Sequence, residues 1–229
     1  MTEGTWVRLD GEAMDVAALA ELFESEVSIR NDTGGTHYIK IDDPPEDSHE
    51  ALVRAEQLLE GLNGIARVQY ASHRPVKAGA VCQVNAAGTA TNQVIFGRAS
   101  IVSRSRVSAS GTVISADGKE AVPPAKRGDQ LLAIRRCNPR FQAALRLYGQ
   151  PELDWGGLYN VLDAIEEGTG GSHELQQKGW ATKAEIGNFT ATANSYPTIG
   201  PQARHGKVTK AARSPKGMTL EEARSLIDN

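Results

Sequence analysis

The chain of 229 residues is long enough for one large domain or two small ones, and its 40% of apolar residues are enough to bury a core. No apolar run reaches the ~20 residues of a membrane-spanning helix, and the opening residues have neither the basic nor the apolar region of a secretory signal. The formal net charge of −3 excludes a protein that is strongly basic or acidic as a whole.

The first half of the sequence carries a mixed α and β pattern. Alternation predicts strands over residues 5–9 and 37–41, apolar spacing predicts a helix over 14–23, and residues 28–36 are rich in turn formers. The clearest helix begins after Asp47 or Ser48, either of which can cap it, and its apolar residues recur at three and four up to Ala66. Within it, Gly61 and Gly64 allow another backbone to approach closely. Residues 76–84, 93–102 and 106–115 predict a small antiparallel sheet.

The second half, from about residue 128, is helical in pattern. Pro139 lacks its N–H and disfavours helix at Asn138, so two helices are predicted there instead of one. Further helices are predicted around 158–165, ended by the glycines of 168–171, and over 181–193. Residues 195–215 predict a long polar loop, and Thr219 opens a capping box that begins a last helix.

The predicted fold class is therefore α+β. A small antiparallel β-sheet with helices occupies the N-terminal half, and an all-α helical bundle occupies the C-terminal half. The corresponding domains are residues 1–122, a mixed α+β domain, and residues 123–229, a helical bundle-like domain.

Charge is sorted along the chain. Residues 1–60 hold 4 basic and 15 acidic residues, a formal charge of −11, and residues 61–149 hold 13 basic and 3 acidic residues, a charge of +10. Such asymmetry indicates either a polyanionic partner or an electrostatic contact between the two segments, within one chain or between subunits.

The basic segment 61–149 contains the candidate nucleic-acid-binding residues. Arginines at alternate positions of a strand share one face, and arginines spread over such a surface can neutralise phosphates. The residues singled out on this ground are Arg98, Arg104, Arg106, Arg135, Arg136 and Arg140. The alternative is a solvated surface that faces the acidic opening segment.

Two further candidates lie nearer the C-terminus. Arg204 and His205 are the candidate catalytic pair, because a neighbouring positive charge favours a neutral histidine that can act as a base. The alternative is an exposed basic loop that has no catalytic or binding function. Only 5% of the residues are aromatic, yet four of them lie in one helical region. These four either line a pocket or form the core of the bundle. These four are Trp155, Tyr159, Trp180 and Phe189.

The helical region resembles the HEPN class of bacterial helical bundles, many of which are ribonucleases of toxin–antitoxin and phage-defence systems. The resemblance rests on four stretches of the sequence: residues 154–165, Gly179 with Trp180, residues 189–194 and residues 203–206. It implies a helical bundle that acts on RNA, with a catalytic Arg followed by His after four to six residues. Arg67 with His73 and Arg30 with His37 have that spacing, whereas Arg204 and His205 are adjacent.

Several kinds of site have no signature in the sequence. No phosphate-binding Gly-Lys-Ser/Thr loop, no nucleophile elbow and no metal-spaced histidines or cysteines occur, so no cofactor and no metal are predicted. Cys82 and Cys137 are predicted to be free thiols in a reducing cytoplasm. The function expected is an RNA-binding protein or ribonuclease with RNA or DNA as partner. The alternative is a non-enzymatic assembly module that binds itself or another protein, with no membrane partner; whether the chain is an enzyme is left open.

Overall fold

The structure, a computed structural model, describes residues 2–23, 27–32, 34–85, 90–95, 127–204 and 217–228. Within them the α+β class is confirmed, with the sheet and two helices in the first part of the chain and helices alone after residue 127. The predicted strand over 93–102 is seen only up to residue 95, and the one over 106–115 lies outside the described residues.

One antiparallel sheet of five described strands forms the N-terminal part. Its strands are β1 (Gly4–Asp10), β2 (Ile29–Asn31), β3 (His37–Lys40), β4 (Lys77–Val84) and β5 (Ala90–Ile95). The spatial order is β2-β3-β1-β4-β5, and every neighbouring pair is antiparallel. The predicted antiparallel sheet is thus confirmed.

Strand β2 differs from the expectation of a turn-rich loop over residues 28–36. The Asp32 side chain accepts hydrogen bonds from the backbone N–H groups of Gly34 and Thr36, both at 2.9 Å, which closes a tight turn. These bonds hold the pKa of Asp32 below its ordinary value. The turn brings Asn31 opposite His37, so the residues before it pair with β3. The prediction of a loop was therefore right for the turn itself and wrong for residues 29–31, which form a strand.

Two helices cover the sheet in this part of the chain: α1 (Ala13–Leu22) and α2 (Ser48–Gln69). Asp47 caps α2 by accepting a hydrogen bond from the N–H of Glu50 at 2.9 Å, as predicted. Helix α2 continues through Gly61 and Gly64, because both positions pack against other parts of the molecule. A Cβ on Gly64 would overlap the carbonyl oxygen of Leu145.

Asn63 joins α2 to the chain that enters β4. Its Oδ1 accepts from the N–H of Val76 and its Nδ2 donates to the carbonyl of Val76, both at 2.9 Å. The same Oδ1 lies 3.1 Å from Nε2 of His73, so that nitrogen carries the proton. The other ring nitrogen of His73 is 3.4 Å from the carboxylate of Asp15, and both side chains are fully buried. The network fixes the path between α2 and β4.

Seven α-helices follow among the described residues: α3 (Arg127–Cys137), α4 (Pro139–Tyr148), α5 (Trp155–Thr169), α6 (Ser172–Gln177), α7 (Lys183–Ala193), α8 (Tyr196–Ile199) and α9 (Leu220–Asp228). The break at Asn138 is confirmed, and the Asn138 side chain caps α4. Gly170 ends α5 in the left-handed conformation, with φ of 98°. Helix α6 was not predicted, since its six residues are too few to show a periodic pattern.

The buried apolar residues form two clusters. The first lies between the sheet, α1 and α2 and includes Leu132 of α3 and Leu145 of α4. The second is built from α4 to α9 and is centred on Leu158 and Phe189. Helices α3 and α4 therefore pack against the N-terminal core, while the later helices make their own. The predicted boundary at residues 122 and 123 lies outside the described residues and stays a prediction.

None of the helices described here combines the length and the apolar character that crossing a membrane requires. Cys82 is buried in β4 and Cys137 is exposed at the end of α3, and both are free thiols, as predicted. A cytoplasmic location stays a prediction.

Candidate nucleic-acid interface

A groove of about 650 Å³ opens where α2, α3 and α4 meet the start of β2 and the end of β3. Its described lining residues are Val27, Ser28, Lys40, Ile41, Asp42, Arg54, Gln57, Leu58, Leu132, Arg135, Arg136, Gln142 and Arg146. The lining contains five cationic side chains and a single carboxylate. Because the cations come from four separate elements and converge on one concave surface, the groove is suited to bind an anion.

Arg135 is the most enclosed of these cations. Its guanidinium lies against the backbone of α2 at Gly61, where an added Cβ would be 2.5 Å from Cζ and 2.8 Å from Nε. It makes no hydrogen bond or ion pair with any residue that the structure describes. Burial, and then the neighbouring charges of Arg146 and Arg136, lower the pKa of Arg135, while Glu60 acts in the opposite direction. Arg135 is thus a half-buried cation whose charge is poorly compensated within the described part of the protein.

The other cations have internal contacts. Arg146 holds Oε2 of Glu60 through Nε at 2.9 Å and Nη2 at 2.8 Å. Arg54 donates to the carbonyl of Asp43 at 2.7 Å. Its second nitrogen is 3.9 Å from the Glu50 carboxylate, and both of those side chains are largely exposed. Such exposed pairs are worth about 0–1 kcal/mol, so they leave these arginines available to a stronger anion.

The predicted nucleic-acid-binding residues divide into three groups. Arg135 and Arg136 both line the groove, as a shared interface requires. Arg140 does not line it and instead pairs with Glu167 of α5 on the surface. Arg98, Arg104 and Arg106 lie outside the described residues.

Three groove cations are not among the six residues singled out from the sequence. One is Arg146, which lies in the basic segment 61–149, and the other two are Lys40 and Arg54. Both belong to the acidic segment 1–60, whose charge of −11 concealed them. A charge summed over a segment of sequence does not show where folding places each residue, so a cation within an acidic segment goes unnoticed. The position of Arg54 on a well-predicted helix was the one available signal. The direction in which that helix face points is informative only once the positions of α3 and α4 are known.

The candidate catalytic pair is only partly described. Arg204 is exposed, and its guanidinium carbon lies 4.2 Å from the centre of the Tyr159 ring, a cation–π contact. Its backbone N–H donates to the carbonyl of Ala193 at 2.9 Å. His205 lies outside the described residues. The described geometry thus gives Arg204 a stacking contact and leaves the acid–base role as a prediction.

The aromatic residues do not line one pocket. Trp155 and Phe189 are 4% and 0% exposed and pack against each other in the second core cluster, with ring centres 5.8 Å apart. Tyr159 is partly buried and stacks on Phe189 at 6.3 Å. Trp180 is 48% exposed, and the ammonium of Lys178 lies 5.4 Å from its ring centre. Of the two alternatives drawn from the sequence, core is the one that the structure shows for Trp155, Tyr159 and Phe189, because apolar burial is the stronger driving force. Trp180 is not part of that cluster, and a pocket role for it stays a prediction.

Two buried amide oxygens lie near this core. The Oδ1 atoms of Asn188 and Asn194 are buried without a hydrogen-bond partner among the described residues, whereas Asn160 is exposed. Each of the two has an unused acceptor position, but neither is joined by a cationic or nucleophilic side chain that would define a site.

The two Arg–His pairs with HEPN spacing have different surroundings among the described residues. Arg67 donates to the carbonyls of Tyr148 and Gln150, the second at 2.7 Å, and thereby ties α2 to the end of α4. His73 is enclosed in the network with Asn63. Arg30 donates to the carbonyl of Ile29 at 3.1 Å, and His37 pairs across the hairpin with Asn31. In the described structure Arg67 and His73 therefore support the fold, whereas Arg30 is exposed.

No cluster of three or more metal-binding side chains occurs among the residues that the structure describes. Comparisons with known protein families, with curated proteins and with solved structures each found no match. The interpretation of the groove therefore rests on its own geometry and charge.

Proposed function

We propose that this protein binds single-stranded RNA through its sugar-phosphate backbone, in the groove between α2, α3 and α4. The observation that supports the proposal is the convergence of five cations on one concave surface with one carboxylate among its described lining residues. Half-buried Arg135 adds to it, since its charge is the least compensated. Neutralising phosphates is the main source of non-specific affinity for nucleic acids.

The size and chemistry of the groove define the ligand further. A groove of about 650 Å³ has the volume of a small-molecule site and is too small to admit a duplex. None of its described lining residues is aromatic, so bases have no stacking surface there, and we expect little dependence on base sequence. The same residues supply no histidine for acid–base chemistry. The proposal is therefore one of binding, and the toxin or phage-defence setting is supported by the HEPN resemblance alone.

Fluorescence anisotropy with a labelled single-stranded RNA tests the proposal. Three to five neutralised phosphates predict that log Kd changes with log salt with a slope of magnitude about 2–3.5. Arg135→Gln should weaken binding and reduce that magnitude by about 0.7, the share of one contact. Arg140→Gln is the matched control, because Arg140 lies outside the groove and pairs with Glu167.

Three results would contradict the proposal. One is the absence of binding at low salt, and another is an equal loss of affinity in the Arg135 and Arg140 variants. The third is competition by a mononucleotide at the affinity of the RNA, which would indicate a small phosphorylated ligand. DNA of the same sequence, measured in parallel, shows whether the 2′-hydroxyl contributes.

A second candidate function, an assembly module, would use ion pairs between the two oppositely charged segments. Glu60 pairs with Arg146, and Glu12 pairs with Arg74 at 2.6 Å. Both pairs lie within one chain, so they support an internal contact more directly than an intersubunit one. Light scattering at low and high salt tests assembly, and a monomer whose mass does not depend on salt would exclude this candidate.

A further inference from the structure

An acidic residue that pairs with an arginine of the proposed groove competes with the ligand for it. Glu60, on α2, engages Arg146 through a single carboxylate oxygen, with two nitrogen–oxygen distances of 2.8 and 2.9 Å. Glu60 also acts on Arg135. Burial and the charges of Arg146 and Arg136 lower the pKa of Arg135, and the negative charge of Glu60 opposes them. One carboxylate thus serves as counter-ion to the innermost arginines of the groove.

The position of Arg135 beside this pair is fixed by the backbone. Its guanidinium rests on α2 at Gly61, one residue after Glu60, and any larger residue there would occupy the same space. Arg146, which lies on the neighbouring helix α4, is held by the carboxylate of Glu60. Two guanidinium groups are therefore presented together, one without a counter-ion of its own and one with a replaceable carboxylate. Guanidinium forks match the oxygens of a phosphate, and binding between two of them adds charge-assisted hydrogen bonds.

We infer that Arg135 and Arg146 bind one phosphate group of the ligand, and that Glu60 is the internal anion which this phosphate displaces from Arg146. The inference rests on the proposed function and names the contact that limits its affinity. The Glu60–Arg146 pair is easily replaced, because its side chains are 38% and 43% exposed and solvent screens their attraction. Glu60 then repels the bound phosphate, so it lowers affinity and favours ligands with enough phosphates to compensate.

The chain supplies a matched control for this inference. Glu167→Gln removes the same charge as Glu60→Gln and breaks a comparable arginine pair, that with Arg140, away from the groove. We expect Glu60→Gln to lower the Kd for labelled single-stranded RNA by about three- to tenfold at moderate salt, as removal of one nearby like charge predicts. Glu167→Gln should change it less than about twofold, since screening weakens more distant charges.

A double-mutant cycle separates this role from a general effect of charge. If Glu60 acts by competing for Arg146, the gain from Glu60→Gln should largely disappear in an Arg146→Gln background. Thermal unfolding of each variant shows that the fold is retained. If the wild type binds RNA and the Glu60 and Glu167 variants behave alike, or the gain persists without Arg146, the inference is wrong while the proposed function stands. If the wild type does not bind RNA at low salt, the proposed function itself fails.

Discussion

A close backbone contact between α2 and α4 predicts an unusual response to a glycine substitution. Gly64 lies inside α2, where replacing glycine by alanine ordinarily stabilises a helix by about 1 kcal/mol. At this position, however, a Cβ would lie 2.8 Å from the carbonyl carbon of Leu145 and closer still to its oxygen. We therefore expect Gly64→Ala to destabilise the protein.

The magnitude follows from the geometry of this contact. Carbon atoms pack at about 3.5–4.0 Å, so α2 and α4 must separate by on the order of 1 Å to accept the methyl group. Both partners are backbone, and no side-chain rotation relieves the overlap. Overpacking costs about 1–3 kcal/mol, and a rigid contact belongs at the upper end. After the gain in helix propensity, the net loss is about 2 kcal/mol, which lowers Tm by about 4–8 °C in a protein of this size.

Urea and thermal unfolding of three alanine variants check this reasoning. Gly187 lies on the exposed face of α7 with nothing near its added Cβ, so Gly187→Ala should stabilise by up to about 1 kcal/mol. Gly61→Ala meets only the Arg135 side chain, which can move, so its stability should change little while RNA affinity falls. A Gly64→Ala variant as stable as Gly187→Ala would refute the argument.

Two further predictions concern buried and exposed polar contacts. Asn63→Ala should lower the free energy of unfolding by about 3 kcal/mol or more, because it leaves the buried N–H and carbonyl of Val76 unpaired, and each such group costs about 1–3 kcal/mol. Asn160→Ala, at an exposed site, should change it by less than about 0.5 kcal/mol in the same urea titration, and equal effects would contradict the role of Asn63. At the start of α9, hydrogen bonds from Thr219 lower the pKa of Glu222 from its ordinary 4.5. The stabilisation from Glu222 is therefore present above pH 4.5 and is lost as the pH falls through the lowered folded value. In Thr219→Ala, hydrogen exchange should show about fivefold less protection of the first turn of α9 at neutral pH. The difference from the wild type should be smaller in acid. A difference that does not depend on pH would argue against the capping box.

Local signals in the sequence located most helices. Asp47 and Thr219 marked the starts of α2 and α9, because each cap is a bond between residues three apart in the chain. Pro139 marked the break before α4, whereas the cap by Asn138 was not predicted. Gly61 and Gly64 were also identified as points of close approach. What approaches them, Arg135 and the backbone of Leu145, lies more than 70 residues away and could not be read from the pattern.

The candidate site depended on tertiary structure to a greater degree. The charge of +10 in residues 61–149 correctly directed attention to Arg135 and Arg136, but it also included Arg140, which pairs with Glu167 on another helix. It omitted Lys40 and Arg54, because these cations belong to an acidic stretch of sequence and join the groove only through packing.

The sequence by itself determined most of the longer helices and strands, the caps that begin α2 and α9, and the sorting of charge along the chain. These properties follow from interactions between near neighbours and from composition. Tertiary structure alone decided which arginines share a concave surface, which of them have an internal carboxylate, and which aromatic residues are core. Those properties depend on distances between residues far apart in the chain, and such distances exist only after α2, α3 and α4 have packed together.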